Sequence, residues 1–256
     1  MAPRWVNFAS IDNVRDLGGL PAGDGYRTRT GLAFRSSTLQ ELTDSDLRTW
    51  LDRLGLRTVI DLRLPNEVRR EGYGLLTGTG VRRINLPIRG ENARPDDVVP
   101  DSRGTDLTAL YAGMLRGSEE SIVAAARIIA DRDRHAVVFH CAGGKDRTGV
   151  LAAVLLDAVG VPAESIVQDY ALTGRRLESI RARLVRLPSY ERLPAVGTGV
   201  LSADPAVMRR FVAMMREKYG GGAEWLVRHG MRESELDRLR EALVEPAPTA
   251  TAPAPR

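Results

Sequence analysis

The chain has 256 residues, of which 43% are hydrophobic and 27% charged, enough to bury a full core. Its single cysteine excludes an intramolecular disulfide, and its three histidines, His135, His140 and His229, are too scattered for a His/Cys zinc site. The formal net charge of +4 comes from arginines interleaved with acids along the chain, which favours acidic ligands weakly and does not mark a nucleic-acid binder.

The N-terminal stretch MAPRWVNFAS lacks a basic-then-apolar signal segment, and no apolar run reaches membrane-spanning length. A cytoplasmic protein with no transmembrane segment is expected, with signal-independent export as the alternative. LAFRSS, residues 32–37, reads as a strand. The next unit, TDSDLRTWLDRLGLRTVIDLR, is a helix feeding a strand. Thr43 followed by Asp46 makes a capping-box pattern, Leu47, Leu51 and Leu54 keep helical spacing, Gly55 suits the C′ position, and TVIDLR is a short β-branched strand. VRRINLPI reads as another strand. The stretch from about 89 to 117 is polar and rich in Gly and Pro, and its spacing leaves a surface connection and a mobile lid equally open.

Helices follow at roughly Ser118–Ala130, Thr148–Val159 and Ala163–Arg183, with the strand HAVVFHC between the first two. AVVFH is apolar on both faces, as a central parallel strand should be, and GVLAAVLLDAVG is apolar all round until Asp157, which predicts a buried helix. The alternation implies an α/β fold with parallel strands. Val207, Phe211, Met214 and Met215 form one apolar helical stripe, and Leu236, Leu239 and Leu243 another; both are read as core packing. The Pro/Ala/Thr-rich tail, residues 246–256, is read as disordered.

The informative stretch is VVFHCAGGKDRTGV, residues 137–150. A strand entering a glycine-bearing turn that becomes a helix aims backbone N–H groups and a helix N-terminus at one point, which is an anion site. Gly143 and Gly144 let the backbone approach closely, and Arg147 offers a two-pronged donor suited to phosphate oxygens. Cys141 lies at the bottom of this cradle, where amide dipoles and cations favour the nucleophilic thiolate. Lys145 is expected at the rim, where an extra cation suits a polyanionic ligand. A nucleotide-binding loop does not fit, because no glycine stands four residues before a Gly-Lys-Ser/Thr unit. Arsenate reductases share a cysteine in an anion loop but generally relay oxidation through further cysteines or external thiols, and this chain has no second cysteine.

HCAGGKDRTG matches the His-Cys-(five residues)-Arg-Ser/Thr-Gly signature of the protein tyrosine phosphatase superfamily, and its GKDRTG half resembles the atypical bacterial tyrosine and lipid phosphatases. NVRDLGGLP, FRSSTL, VIDLRLPNE and QDYALT are similar to patterns at comparable positions in that family, so the resemblance covers most of residues 5–245. It implies a single phosphatase domain over 1–245 of the phosphotyrosine phosphatase II type, a central, mostly parallel sheet flanked by helices, with no metal or other cofactor. Carried over, Cys141 attacks phosphorus and forms a phosphocysteine. Arg147 and the loop residues Ala142, Gly143, Gly144, Lys145 and Thr148 bind the phosphoryl oxygens. The Thr148 hydroxyl can donate to the sulfur, and His140 supports the cysteine. Asp146 is expected as the general acid, with Asp61, Asp101 and Asp106 as rivals and an ion-pair role for Asp146 left open. The implied substrate is phosphotyrosine, with phosphoserine/threonine or phosphoinositides in addition, and inorganic phosphate is the product. A phosphate-recognising module without turnover and a sulfur transferase are the competing readings.

Overall fold

A computed structural model describes residues 4–91, 106–191 and 193–248. The strands are β1 (Arg15–Asp16), β2 (Tyr26–Thr28), β3 (Ala33–Ser36), β4 (Thr58–Asp61), β5 (Arg82–Asn85), β6 (Val137–His140) and β7 (Val244–Pro246). The α-helices are α1 (Asp44–Arg48), α2 (Pro65–Glu71), α3 (Leu107–Arg116), α4 (Glu119–Ala130), α5 (Asp146–Ala158), α6 (Ala163–Ala171), α7 (Leu177–Leu184), α8 (Pro205–Tyr219), α9 (Gly222–Arg228) and α10 (Glu233–Leu243).

Five strands form the main sheet in the order β1-β3-β6-β4-β5, parallel throughout except for β1. The expected α/β class, with a mostly parallel sheet between helices, is the fold observed. β6 sits in the middle because its side chains are apolar on both faces. Val137 and Phe139 join a core with α3, α4, α5 and α8–α10, whereas Val138 joins a second core around Trp50, Leu56 and Val59. α5 is enclosed by the first core, and Val150–Leu156 of it are all buried. The ends of β3, β6 and β4 are in register, with Ser36 and Asp61 both opposite His140. Open α/β sheets bind ligands beyond such carboxyl ends.

Thr43 and Asp46 make the expected capping box on α1, and the helix then loosens into a wider turn over Thr49–Arg53. Three expectations change. The helix expected over Ala163–Arg183 breaks into α6, a tighter turn at Leu172–Arg176 and α7, since Gly174 interrupts the run and a buried Thr173 bonds Arg15. The stretch 89–117, in sequence open to a surface connection or a lid, contains a helix that the sequence reading does not assign. Residues 92–105, including Asp101, lie outside the described residues, but Leu107–Arg116 is α3, packed on α5 and α8 with Leu107, Tyr111 and Leu115 buried. Of the tail read as disordered from 246, the described start is ordered: Pro246 pairs with Tyr26 in a small antiparallel sheet, and Ala247 N donates to Gly25 O at 2.8 Å, while 249–256 lie outside the described residues. No described helix is long and apolar enough to cross a membrane.

Candidate active site

β6 delivers Cys141 to the end of the sheet, and the chain then turns through residues 142–145 into the N-terminus of α5. Cys141 is 3% exposed and lies in the wall of a cleft of about 550 Å³. Thr148, in the first turn of α5, donates its hydroxyl to Cys141 Sγ at 3.2 Å. Such a donor stabilises a thiolate better than a thiol. The loop must pass close to β3: Gly144 has φ +67°, and a Cβ there would lie 2.3 Å from the Ser36 carbonyl oxygen. No side chain fits that position.

The outer side of the loop is held by donors from distant parts of the chain. Thr38 N bonds Ala142 O at 2.8 Å. Asn13 Nδ2 donates to Gly143 O at 3.1 Å and Gly144 O at 3.0 Å, and Arg35 Nη2 reaches Gly144 O at 2.8 Å. In a planar trans peptide the N–H points opposite to the C=O, so carbonyls pulled outward turn the amides of residues 143–145 inward. Among the described residues none of those three amides has a protein acceptor. The donors are themselves braced. Arg15 Nη1 bonds Asn13 Oδ1 at 2.5 Å, Arg15 Nε bonds Asp169 at 3.1 Å, Arg35 Nη1 bonds Asp169 at 2.7 Å, and Arg4 completes the set. Burial raises the Asp169 carboxyl, but the three guanidinium groups outweigh it and hold it far below the usual range. Asn13 takes φ 60°, a left-handed conformation that asparagine tolerates.

Arg147 is fixed by a fork-to-fork pair with Glu67, Nη1 to Oε2 at 2.5 Å and Nη2 to Oε1 at 2.9 Å. Glu67 is fully buried in α2, where its carboxylate also accepts from Leu64 N at 2.7 Å and from the Tyr190 hydroxyl. Burial raises its carboxyl, but Arg147 beside it prevails and keeps it below the ordinary value. Asp146 lines the cleft. Tyr111 donates to its Oδ1 at 2.6 Å, and Lys145 Nζ stands 2.8 Å from the same oxygen. Burial, with Asp146 nearby, pushes the Tyr111 hydroxyl well up, so it stays a neutral donor. Among the described residues Asp146 Oδ2 has no protein partner.

A family model described as "Tyrosine phosphatase family" matches residues 6–245. The chain belongs to the tyrosine phosphatase family. It is 32% identical to a putative tyrosine-protein phosphatase of Cupriavidus necator over 76% of this chain and 72% of that one. It is 30% identical to the triple specificity protein phosphatase PtpB of Mycobacterium tuberculosis over 91% of this chain and 96% of that one. A tyrosine-protein phosphatase of Nostoc commune is 29% identical over 82% and 73%. Membership of this tyrosine phosphatase family makes the chain a phosphatase of the cysteine-dependent kind.

Within this tyrosine phosphatase fold, Cys141, Ala142, Gly143, Lys145, Asp146 and Arg147 line one cleft, while Gly144 and Thr148 stand behind it. Lys145 departs from the expected rim position. It is 3% exposed, with Nζ on Ser202 O at 2.6 Å as well as on Asp146, because the loop turns its stem inward over the Tyr170 ring. Asp61 does not face the cleft: it is buried and pairs with Arg63 at 2.7 Å. Burial raises its carboxyl, but His140 and Arg63 more than offset this. Asp106 is the N-cap of α3, accepting from Thr108 N at 2.9 Å, and lies outside the cleft lining. His140 is buried and donates from Nδ1 to Cys141 O at 3.0 Å, and burial lowers its basicity. Sequence reasoning missed Glu67, Asn13, Arg15, Arg35 and Asp169 as parts of the site. Each stands inside a flanking pattern already noted: VIDLRLPNE, NVRDLGGLP, FRSSTL and QDYALT.

Proposed function

We propose that this chain, as one phosphatase domain over residues 1–245, hydrolyses phosphotyrosine monoesters through a phosphocysteine on Cys141. The observation that carries the reading is the convergence on one cleft of a sulfur bonded by Thr148 at 3.2 Å, inward amides and a braced Arg147. The phosphoryl group sits on the amides of the loop at the N-terminus of α5, with Arg147 on two equatorial oxygens. The Cys141 thiolate attacks phosphorus in line, the bond to the phenolic oxygen breaks, and Asp146 gives that oxygen its proton. Water then attacks phosphorus and returns a proton to Asp146. The P–S bond breaks, and the leaving thiolate receives the Thr148 hydrogen bond. Lys145 and Tyr111 orient Asp146 rather than clamp substrate. Catalysis is electrostatic positioning, as a loose phosphoryl transition state requires.

Phosphotyrosine leads the reading because apolar side chains wall the cleft in which Cys141 lies buried; phosphoserine/threonine and phosphoinositides rank behind it. A reducing, cytoplasmic compartment suits a nucleophilic thiol that has no partner cysteine in the chain. The test is release of phenol from an aryl phosphate in the presence of a metal chelator. Turnover should persist with chelator and fall by about 10⁴-fold or more in Cys141→Ser, whose fold is retained. Binding of phosphotyrosine without turnover would establish the recognition-module reading instead. Thiosulfate-dependent activity would establish the sulfur transferase.

A further inference from the structure

We infer that the cleft above the phosphate loop holds an apolar subsite that selects a singly phosphorylated tyrosyl segment with a bulky apolar neighbour, in preference to a polyphosphorylated polyol. The inference rests on the phosphatase reading of the same cleft. Leu110 and Met114 of α3, Ile180 and Leu184 of α7, and Leu193 and Leu201 beyond it line the space that Cys141 and Arg147 also reach. The volume of about 550 Å³ falls within the roughly 300–1,000 Å³ of sites that enclose a whole drug-sized ligand, so it has room beside a phosphorylated ring.

The charges point the same way. Arg147 is paired with Glu67, Lys145 with Asp146, and Arg116 with Glu91 at 2.8 Å. Among the described residues lining the cleft, Arg89 is the remaining cation, exposed and without a carboxylate partner. Among the described lining residues, one unpaired guanidinium can meet one further negative group, which is short of what several phosphates require. The hydroxyls of a polyol would also lose water against aliphatic walls that offer no hydrogen bond in return. A membrane lipid is disfavoured by the surface around the cleft. Among the described residues the exposed large hydrophobic ones are Tyr26 and Leu75, and neither lines it. The apolar surface is therefore inside the cleft, where a side chain can enter and a bilayer cannot.

The test compares kcat/KM for two phosphotyrosyl peptides that differ only at the residue beside the phosphotyrosine, leucine in one and glutamate in the other. p-Nitrophenyl phosphate, a soluble inositol bisphosphate and vesicles carrying a phosphoinositide bisphosphate are run alongside. The leucine peptide should be favoured by about tenfold to a hundredfold, the range set by burying one aliphatic side chain. That ratio should shrink to within about threefold in Leu193→Ser and in Leu110→Ser, two variants so that a loss of folding in one, read from its Tm, leaves the other to decide. A ratio near one in the unmodified protein, a preference for glutamate, or faster turnover of the bisphosphate or the vesicles would overturn the inference while leaving the phosphatase reading intact. Inactivity toward p-nitrophenyl phosphate as well would overturn both.

Discussion

Beneath the loop that follows Cys141, the carbonyls of Ala142, Gly143 and Gly144 each meet a donor from Thr38, Asn13 or Arg35, and two of those donors, Arg35 directly and Asn13 through Arg15, are tied to one buried carboxylate, Asp169. The walls above the loop are Leu110, Met114, Ile180, Leu184, Leu193 and Leu201, carried on two helices and a run of short turns and held by packing. Directional bonds fix an amide to one place, whereas apolar packing tolerates exchanges that conserve volume. The floor is therefore where a small change costs rate, and the walls are where a change costs selection.

The largest effect expected on this contrast comes from Asp146→Asn. Hydrolysis of phosphotyrosine and alkyl phosphates should fall by about 10²–10⁴-fold, and that of an activated nitroaryl phosphate far less, because only a poor leaving group needs the proton. Asp61→Asn is the matched control. A common factor across all substrates for Asp146→Asn, with leaving-group dependence in the control, would assign Asp146 a purely structural role. Glu67→Gln comes next and should lower kcat by about 10²-fold, since Arg147 loses the charge that aims it at the oxyanion. It also carries a pH signature. The folded carboxyl of Glu67 lies below its unfolded value, so its contribution to stability is full above about pH 4.3 and fades as pH falls through the folded value. The gap in Tm between the unmodified protein and Glu67→Gln should narrow from pH 6 to pH 3; a constant gap would mean the pair is not titrating.

Removing one brace of the floor is a smaller step. Asn13→Gly keeps the left-handed backbone at φ 60° without strain and deletes only the side-chain donor. A loss of about tenfold in kcat, shared by Asn13→Ala, would locate the effect in the bond to the loop carbonyls; a loss confined to Asn13→Ala would locate it in backbone strain. The smallest effect should come from the walls. Leu110→Ala should raise KM for a phosphotyrosyl peptide by about threefold with kcat nearly kept, the pattern of lost uniform binding. A fall in kcat as large as that of Asn13→Gly would erase the division between floor and wall.

How much was legible follows from the range of each interaction. The capping box of Thr43 and Asp46, the twofold apolar β6 and the enclosed α5 are local patterns, and they appear as read. The loop from Cys141 to Thr148 is also contiguous, so its chemistry could be seen in one glance at the sequence. Glu67 could not be assigned the same way: in sequence it looks like a helix-capping acid three residues after Leu64, and its partner Arg147 is 80 residues away. Lys145 was misplaced because sequence gives a residue's neighbours along the chain and not the direction in which a turn aims its stem. The α3 error was avoidable. Leu107, Tyr111, Met114 and Leu115 keep helical spacing behind an Asp106 cap, a signal obscured by the glycines and prolines before it.

The Arg35–Asp169 bond also sets a timetable. Arg35 precedes Asp169 by 134 residues, and at a synthesis rate of about 5–20 residues per second this is a wait of roughly 7–27 s on the ribosome. Through that interval the guanidinium groups of Arg15 and Arg35 are without the carboxylate that later gathers them. Cys141 emerges before the strut that squares the loop around it. A nascent chain stalled between Cys141 and Asp169 thus carries the cysteine without the buried carboxylate that braces its loop, and the loop's final geometry is acquired late in translation, when α6 arrives.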